Sequence, residues 1–304
     1  MPEGDTVWRT AHRLDQALAG RVLTVSDLRW PSLATVDLRG ATTTEVIARG
    51  KHVLQRLDSG VTLHSHLRMD GQWRVAATEQ VTVGELRQDR IRAVVGTAEW
   101  TCIGTRLGML DLVATADEGT LVGYLGPDLL GPDWDLSTAL TNLRRDPQRA
   151  IGEALLDQRL LAGIGTLYDS ESLFLQRIHP WTPVGELDDS ALEHLLERAH
   201  RLLQTNASRA VQSTTGSLRP GETAYVHARS GRPCRRCGSG IRVAMIGQAP
   251  QDRTMFYCPA CQGGLAPTDD GRPQRPMGST GGGKQASRVP KRPGGRSGGY
   301  RPLR

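Results

Sequence analysis

Aromatic residues are scarce in this sequence of 304 residues, where phenylalanine, tyrosine and tryptophan together make up 4%. No stretch approaches the roughly 18 consecutive apolar residues that a membrane span requires. The first ten residues have no basic flank followed by an apolar run, so we expect no secretory signal peptide. The expectation is a soluble cytoplasmic protein without a membrane partner, and 38% hydrophobic content still provides for a folded core.

Cysteine is also rare, and an odd total of five does not suit a framework of disulfides. Two pairs follow the spacing C-x2-C-x20-C-x2-C, formed by Cys234, Cys237, Cys258 and Cys261. Four thiolates close a tetrahedral zinc site and leave no position for a substrate. We therefore expect one structural Zn²⁺ per chain in a reducing compartment, and a buried structural thiol at the remaining Cys102.

The net charge of +6 is unevenly distributed. Residues 264–304 carry nine basic and two acidic side chains, a net +7, which leaves −1 for residues 1–263. This segment is rich in glycine and proline and has almost no apolar residues, so we expect a disordered basic tail. Such a tail would add salt-sensitive affinity for nucleic acid.

The apolar pattern changes along the chain. A helix is predicted over 5–19, with Asp5 or Thr6 as its cap, because apolar residues recur there at helical spacing. Residues 21–125 contain short alternating runs, two of which flank a turn at 58–60. This pattern is typical of an antiparallel sandwich or barrel.

Turns rich in glycine and proline at 126–133 mark a domain boundary, and residues 135–210 are helical in character with a break at 163–165. A small β-rich module surrounds the cysteines. The predicted divisions are 1–130 for the helix and sandwich, 131–225 for the helical domain, 226–263 for the cysteine module and 264–304 for the tail.

The N-terminus has a chemistry of its own. Pro2 follows Met1, and a small second residue generally permits removal of the methionine. An exposed prolyl amine is far less protonated near neutral pH than a lysine, so it can attack a carbonyl-like carbon and form an iminium. The neighbouring Glu3 could deliver a proton to a sugar oxygen. Alone, these residues are a weak signal.

Six motifs occur in order over residues 1–263. They are Met1-Pro2-Glu3-Gly4, Arg49-Gly50-Lys51-His52, the seven residues at 65–71, Leu125-Gly126-Pro127-Asp128, the segment 155–165, and Arg253 ahead of the residues at 256–262. Together they resemble the formamidopyrimidine-DNA glycosylase/endonuclease VIII family. The Pro-Glu-Gly start and the Cys-Pro-x-Cys-Gln end resemble its endonuclease VIII branch.

The resemblance implies an α+β fold in which an N-terminal helix and an antiparallel β-sandwich precede a helix–two-turn–helix domain with a four-cysteine zinc-finger hairpin. It implies a bifunctional DNA glycosylase and AP lyase of base excision repair. Such an enzyme removes an oxidised base, here a pyrimidine by the branch, and cuts the strand by β- or β,δ-elimination. Damaged DNA is the implied partner, and the protein is expected to be a monomer without a small-molecule cofactor.

Four catalytic roles follow from the same resemblance. Pro2 is the implied nucleophile at the sugar C1′ and Glu3 the proton donor to the sugar ring. Lys51 is implied in phosphate binding and β-elimination. Arg253 is implied to grip the phosphate beside the lesion and to assist δ-elimination.

Further residues match DNA contacts of the family. Met69 is implied to fill the void left by the extruded base, with Arg68 beside it, and without the family a core methionine is the alternative. His66 matches a phosphate contact. Gly163 and Gly165 are expected to present free backbone N–H groups to a phosphate.

Two positions depart from the family pattern. Thr166 stands where an asparagine is expected, and His227 where a tyrosine is usual. Since threonine has a shorter reach, one phosphate contact would weaken by on the order of 1 kcal/mol.

These departures leave a second hypothesis open, namely a damaged-DNA-binding protein with little turnover on the same scaffold. A zinc-ribbon factor of RNA metabolism is a third hypothesis, but it would explain nothing before residue 226.

Overall fold

A computed structural model describes residues 2–276 of the chain. Its first helix, α1 (Gly4–Leu18), buries the apolar stripe expected from the sequence. The helix begins one residue earlier than predicted, with Glu3 at the N-cap position and no side-chain cap. Asp5 is therefore not the cap: its buried carboxylate accepts hydrogen bonds of 2.8 and 3.0 Å from Gln212 in the helical domain.

Two antiparallel sheets face each other behind α1, as the sequence predicted. The first has the order β1-β6-β7-β5 and the second the order β2-β3-β4-β8. The strands are β1 (Val25–Leu28), β2 (Thr43–Arg49), β3 (His52–Leu57), β4 (Val61–His66), β5 (Gln72–Ala77), β6 (Ile91–Gly96), β7 (Trp100–Thr105) and β8 (Met109–Ala114). The predicted hairpin is β3 paired with β4, and its first pair joins His52 to His66. Cys102 is buried in the core between the sheets.

The second half of the chain is helical. Short helices α2 (Val83–Leu86) and α3 (Gly119–Val122) belong to the sandwich; α4 (Leu136–Arg144), α5 (Ile151–Leu156), α6 (Thr166–Gln176) and α7 (Asp189–Ala207) follow the boundary turns. The predicted break at 163–165 separates α5 from α6. Arg9 of α1 donates to the Asn206 carbonyl at 3.2 Å and also to the Arg209 carbonyl, which ties the first helix to the end of α7.

A two-stranded hairpin of β9 (Arg242–Ile246) and β10 (Arg253–Tyr257), followed by α8 (Pro259–Gln262), carries the cysteine module. Ile246 and Met255 of the hairpin are buried in the core of the helical domain. Apolar packing of these side chains therefore attaches the hairpin to the helices.

Residues 264–276 are folded onto this hairpin, so the prediction of a disordered tail from residue 264 is wrong over this stretch. Asp269 pairs with the Arg242 guanidinium and accepts a hydrogen bond of 2.6 Å from the Tyr257 hydroxyl. Ala266 is buried, and the Gln274 amide bonds to the backbone of Val243. The rest of the predicted tail lies outside the described residues. Within residues 2–276, no helix has both the length and the apolar character needed to cross a membrane.

Candidate active site at the junction of α1 and α6

The N-terminal residues dock against the loop that precedes α6. The Gly4 N–H donates to the Gly163 carbonyl at 2.9 Å. A Cβ at Gly4 would lie 2.9 Å from the Gly163 Cα, so this approach requires glycine. This contact holds the neighbouring Pro2, which is partly exposed, at the edge of the junction between the two domains.

Glu3 is almost fully buried at 1% exposure, and its carboxylate caps α6 from outside that helix. It accepts backbone N–H bonds from Gly165 at 2.9 Å, Leu167 at 2.8 Å and Tyr168 at 3.3 Å. Burial raises the pKa of Glu3, whereas the charge of Lys51 and the N–H donors oppose the rise. A carboxyl with a raised pKa is suited to donate a proton near neutral pH.

The expectation that Gly163 and Gly165 present free N–H groups is contradicted by the structure. The Gly165 N–H is bound by Glu3, and the Gly163 N–H donates to the Gln158 side chain at 3.1 Å. A buried carboxylate has taken the position at the start of the helix that a phosphate was expected to occupy.

Lys51 reaches the same loop from the opposite domain. Its Nζ donates to the Ile164 carbonyl at 2.5 Å. Burial and the charge of Arg253 lower the pKa of Lys51, while Glu3 and Asp169 counteract them. Glu3 and Lys51, which are 48 positions apart in the sequence, thus meet on the residues that begin α6.

The turn that carries Lys51 is held by a residue whose role the sequence did not reveal. Asp128 is buried and accepts from the Gly50 N–H at 2.6 Å and from the Leu130 N–H at 3.0 Å. Gly50 adopts a positive φ of 57°, which favours glycine at this position. The sequence shows Asp128 only as part of a motif, yet this residue fixes the turn from which Lys51 projects.

Arg253 begins β10 and is exposed, with its guanidinium donating to the carbonyls of Gln251 at 2.8 Å and Asp252 at 3.0 Å. It lines a cleft of about 810 Å³ between the hairpin and the α5 region. The charge of Arg253 contributes to the lowered pKa of Lys51.

The loop between β4 and β5 presents Met69 at 64% exposure, which argues against a core methionine. Arg68 precedes it with a positive φ of 54° and donates its N–H to His66 Nδ1 at 2.9 Å. Burial, with the nearby charge of Arg68, lowers the pKa of His66 to about 4. His66 is therefore neutral near pH 7, and because its Nδ1 accepts from the Arg68 N–H, its Nε2 carries the proton.

Thr166 and His227, the two departures, line one cavity of about 260 Å³ together with Glu3. The His227 ring stands edge-on to Phe256 at 5.1 Å, and burial lowers its pKa to about 4. Neither residue disturbs the hydrogen bonds of the Glu3 carboxylate. The two departures thus alter the cavity wall and leave the Glu3 carboxylate in place.

The chain resembles known proteins over both of its domains. The profile described as "Formamidopyrimidine-DNA glycosylase N-terminal domain" matches residues 1–107, and "Formamidopyrimidine-DNA glycosylase H2TH domain" matches residues 125–218. The protein of Streptomyces coelicolor named "Probable endonuclease 8 2" is 54% identical over 272 residues, which cover 90% of this chain and 98% of the relative. This chain belongs to the formamidopyrimidine-DNA glycosylase/endonuclease VIII family.

A second relative supports the endonuclease VIII-like branch of the family. The Mycolicibacterium smegmatis protein named "DNA-(apurinic or apyrimidinic site) lyase Nei2" is 44% identical over 86% of this chain and 99% of its own length. Among solved structures, the Lactococcus lactis Fpg bound to DNA with an abasic site superposes with a TM-score of 0.69 at 26% identity. That match covers 86% of this chain and 100% of the other.

The cysteine module of this family member fits a metal ion. The Sγ atoms of Cys234, Cys237, Cys258 and Cys261 all lie within 4.8 Å of one another. The Sγ–Sγ distance is 4.0 Å for Cys234 and Cys261, and 3.5 Å for Cys237 and Cys258. Four thiolates at about 2.3 Å from a tetrahedral zinc are separated by about 3.8 Å, and the distances of 3.5 and 4.0 Å lie on either side of that value.

Two buried carboxyl groups of α6 were not singled out from the sequence. Glu171 accepts the N–H groups of Tyr225, Val226 and His227 at 2.7 to 2.8 Å, and so binds the helix to the start of the cysteine module. Asp169 is fully buried, and neither of its oxygens has a hydrogen-bond partner among the described residues. The sequence around them has no apolar stripe that would have placed either residue inside.

Proposed function

We propose that the protein is a bifunctional DNA glycosylase and AP lyase of base excision repair, with damaged DNA as its partner. The convergence of Glu3 and Lys51 on the loop before α6, beside Pro2, is the observation that carries the proposal. The names of the relatives support the same two activities. Oxidised pyrimidines are the proposed substrates, in keeping with the branch.

In the proposed reaction, Pro2 acts as the nucleophile through its unprotonated amine. The amine nitrogen bonds to the sugar C1′ as the bond to the base breaks, and the proton that the amine loses neutralises the departing base. Glu3 then gives its proton to the ring oxygen, the bond between C1′ and that oxygen breaks, and the nitrogen lone pair completes the iminium. Burial of Glu3 supports this role because it raises the pKa of the donor.

Strand cleavage follows from the iminium, which acidifies the C2′ hydrogens. Removal of one such proton expels the 3′ phosphate by β-elimination, and a second elimination releases the phosphate on the 5′ side. Lys51 and Arg253 would bind the phosphates and stabilise the charge that develops on them. The lowered pKa of Lys51 also leaves a larger fraction of its amine unprotonated near neutral pH than in an exposed lysine, and only that fraction can accept a proton.

We further propose that the thiolates of Cys234, Cys237, Cys258 and Cys261 hold Zn²⁺, whose part is to fix the hairpin that presents Arg253. Met69, Arg68 and His66 are proposed as DNA contacts from the sandwich domain, and Thr166 and His227 from the helical side. Gly163 and Gly165 serve by allowing Gly4 and Glu3 to approach, not by binding phosphate through their amides.

Borohydride trapping on DNA with an abasic site tests the chemistry directly. Mature protein, shown by intact mass to lack Met1, should form a covalent adduct at the N-terminal peptide. Pro2→Gly should lose or strongly reduce the adduct, whereas Pro31→Gly, in an exposed turn of the sandwich, should keep it. A protein that binds this DNA with a free Pro2 but is never trapped would instead be the damage-binding protein suggested by Thr166 and His227.

Metal removal tests the proposed zinc. Chelation should release one Zn²⁺ per chain, measured by a colorimetric indicator, and should abolish tight DNA binding because the hairpin loses its fixed form. Cys237→Ser should release the ion more readily, and Cys102→Ala should retain it. Full DNA affinity in the metal-free protein would refute the assignment.

A further inference from the structure

A series of hydrogen bonds that the proposed catalysis does not use runs through the sandwich domain beside Lys51. His64 Nδ1 lies 3.0 Å from the Asp111 carboxylate, and His64 Nε2 lies 2.8 Å from His52 Nδ1. The other nitrogen of His52, Nε2, lies 3.2 Å from the Tyr124 hydroxyl. These four side chains come from β8, β4, β3 and the turn after α3.

The Asp111 carboxylate only accepts, so His64 donates to it from Nδ1. We assign His64 Nε2 as the acceptor of the bond to His52. His52 therefore donates from Nδ1 and accepts at Nε2, and the Tyr124 hydroxyl is the donor. Burial lowers the pKa of His52 to about 3, so this imidazole is neutral near pH 7, with one donor and one acceptor nitrogen.

Of the three aromatic rings in this series, that of Tyr124 is the one exposed to solvent. His64 is fully buried and His52 is 6% exposed, while Tyr124 is 53% exposed. A tyrosine whose hydroxyl is already fixed loses little further freedom when a ligand packs on its ring. Such a ring is preorganised for binding rather than for core packing.

Tyr124 lies next to the groups proposed to bind phosphate. Its neighbour Leu125 packs against the turn of Lys51, since a Cβ at Gly50 would lie 3.3 Å from Leu125 Cδ1. The His66 ring stands edge-on to His52 with the ring centres 4.8 Å apart. The charges of Arg68 and Lys51 also act on His52. The exposed ring thus shares one face with a cluster of cations and hydrogen-bond donors.

We propose that Tyr124 is a DNA-contacting residue whose ring packs on a nucleotide of the bound strand. His52, His64 and Asp111 are positioning residues that fix its hydroxyl. The inference rests on the proposed function, because it assumes that this face receives DNA.

Binding to a duplex with a tetrahydrofuran abasic-site analogue tests the proposal, with the dissociation constant measured by fluorescence anisotropy over a range of salt. Tyr124→Ala should weaken binding about tenfold, the scale of one aromatic contact to a nucleotide. The slope of log Kd against log salt should not change, because no charge is lost. Trp100→Ala, which removes another exposed aromatic beside Arg13 and Gln16, should bind as the parent protein does.

The positioning role needs its own test. Tyr124→Phe keeps the ring but removes the hydroxyl that His52 fixes. The affinity of this variant for the duplex should therefore lie between those of the parent protein and Tyr124→Ala. His52→Gln should weaken binding to the same extent as Tyr124→Phe, and should add nothing when combined with it. Additive losses in the double variant would overturn the positioning role.

Two further results would overturn the contact itself. One is a Tyr124→Ala protein that binds as tightly as the parent. The other is weaker binding with a shallower salt slope, which would show that a phosphate contact of Lys51 had been displaced. If the parent protein neither binds this duplex nor is trapped on abasic DNA, the proposed function fails instead, so the two failures are distinguishable.

Discussion

Helices α6 and α7 bury their residues in opposite ways. The buried side of α7 is apolar, with Leu192, Leu195, Leu196, Ala199 and Leu203 facing the core and charged residues facing solvent. In α6 every residue from Thr166 to Phe174 is buried, including two carboxyl groups and two serines. Helix α7 stabilises the domain, whereas α6 uses its backbone and its carboxyls to hold other parts of the molecule in place.

The difference is clearest in the direction of the hydrogen bonds. The N-terminal N–H groups of α6 bind Glu3, a residue of the other domain. The Glu171 side chain binds the N–H groups at the start of the cysteine module. A single helix thereby fixes both the N-terminal residues and the hairpin of Arg253. We expect substitutions along it to affect chemistry or docking more than those on the outer face of α7.

The largest effect is expected for Glu3→Gln. The amide cannot donate a proton as the carboxyl does, so base excision measured under single-turnover conditions should slow by about 10²- to 10⁴-fold. Glu193→Gln, on the exposed face of α7, is the matched control and should react at the parent rate. Equal rates for all three proteins would exclude Glu3 as the proton donor.

Glu171→Ala should come next. It leaves three backbone N–H groups and the Thr214 hydroxyl without their acceptor, and the bond of the Val226 N–H is fully buried. The free energy of unfolding should therefore fall by about 2–4 kcal/mol. Urea denaturation of the metal-loaded protein measures the change. Glu197→Ala removes an exposed ion pair with Arg201 on α7 and should cost less than about 0.5 kcal/mol. If the free energy of unfolding fell equally in the two variants, the proposed difference between the roles of α6 and α7 would be refuted.

The smallest effect, and one of opposite sign, is expected for Asp169→Asn. Burial raises the pKa of Asp169 well above its ordinary value of 3.8, so the folded state holds a proton that the unfolded state releases. The stability from this proton is complete below pH 3.8 and declines as the pH rises towards the folded-state pKa. Asn cannot ionise, so the variant should lack this decline and be more stable at pH 7 by about 1–2 kcal/mol.

Denaturation curves between pH 4 and pH 8 would show the effect of Asp169 as a difference in slope between the two proteins. Parallel stability profiles would mean that Asp169 is ionised throughout and has a partner in solution.

Much of the fold was predictable because apolar residues follow simple periods. The stripes of α1 and α7, the hairpin of β3 and β4 and the cysteine spacing all appear in the structure. The burial of α6 was not predictable, since Asp169 and Glu171 are charged residues with no apolar period around them. Burial there depends on partners distant in the sequence, which include Glu3 and residues 225–227.

The errors have a similar origin. Gly163 and Gly165 were expected to leave their amides free, but a carboxylate and a glutamine from elsewhere in the chain are bound to them. Residues 264–276 were expected to be disordered from composition alone. Their order comes from single pairings such as Asp269 with Arg242, which a composition average does not show.

The hydrogen bond between Gly4 and Gly163 determines when, during synthesis of the chain, the junction between the two domains can form. The ribosome makes the N-terminal residues first, yet their docking site on the loop before α6 emerges only after some 160 further residues have been added. Until then the Glu3 carboxylate has none of the backbone N–H partners that α6 supplies. This junction therefore assembles late, only when both domains have been synthesised and have docked.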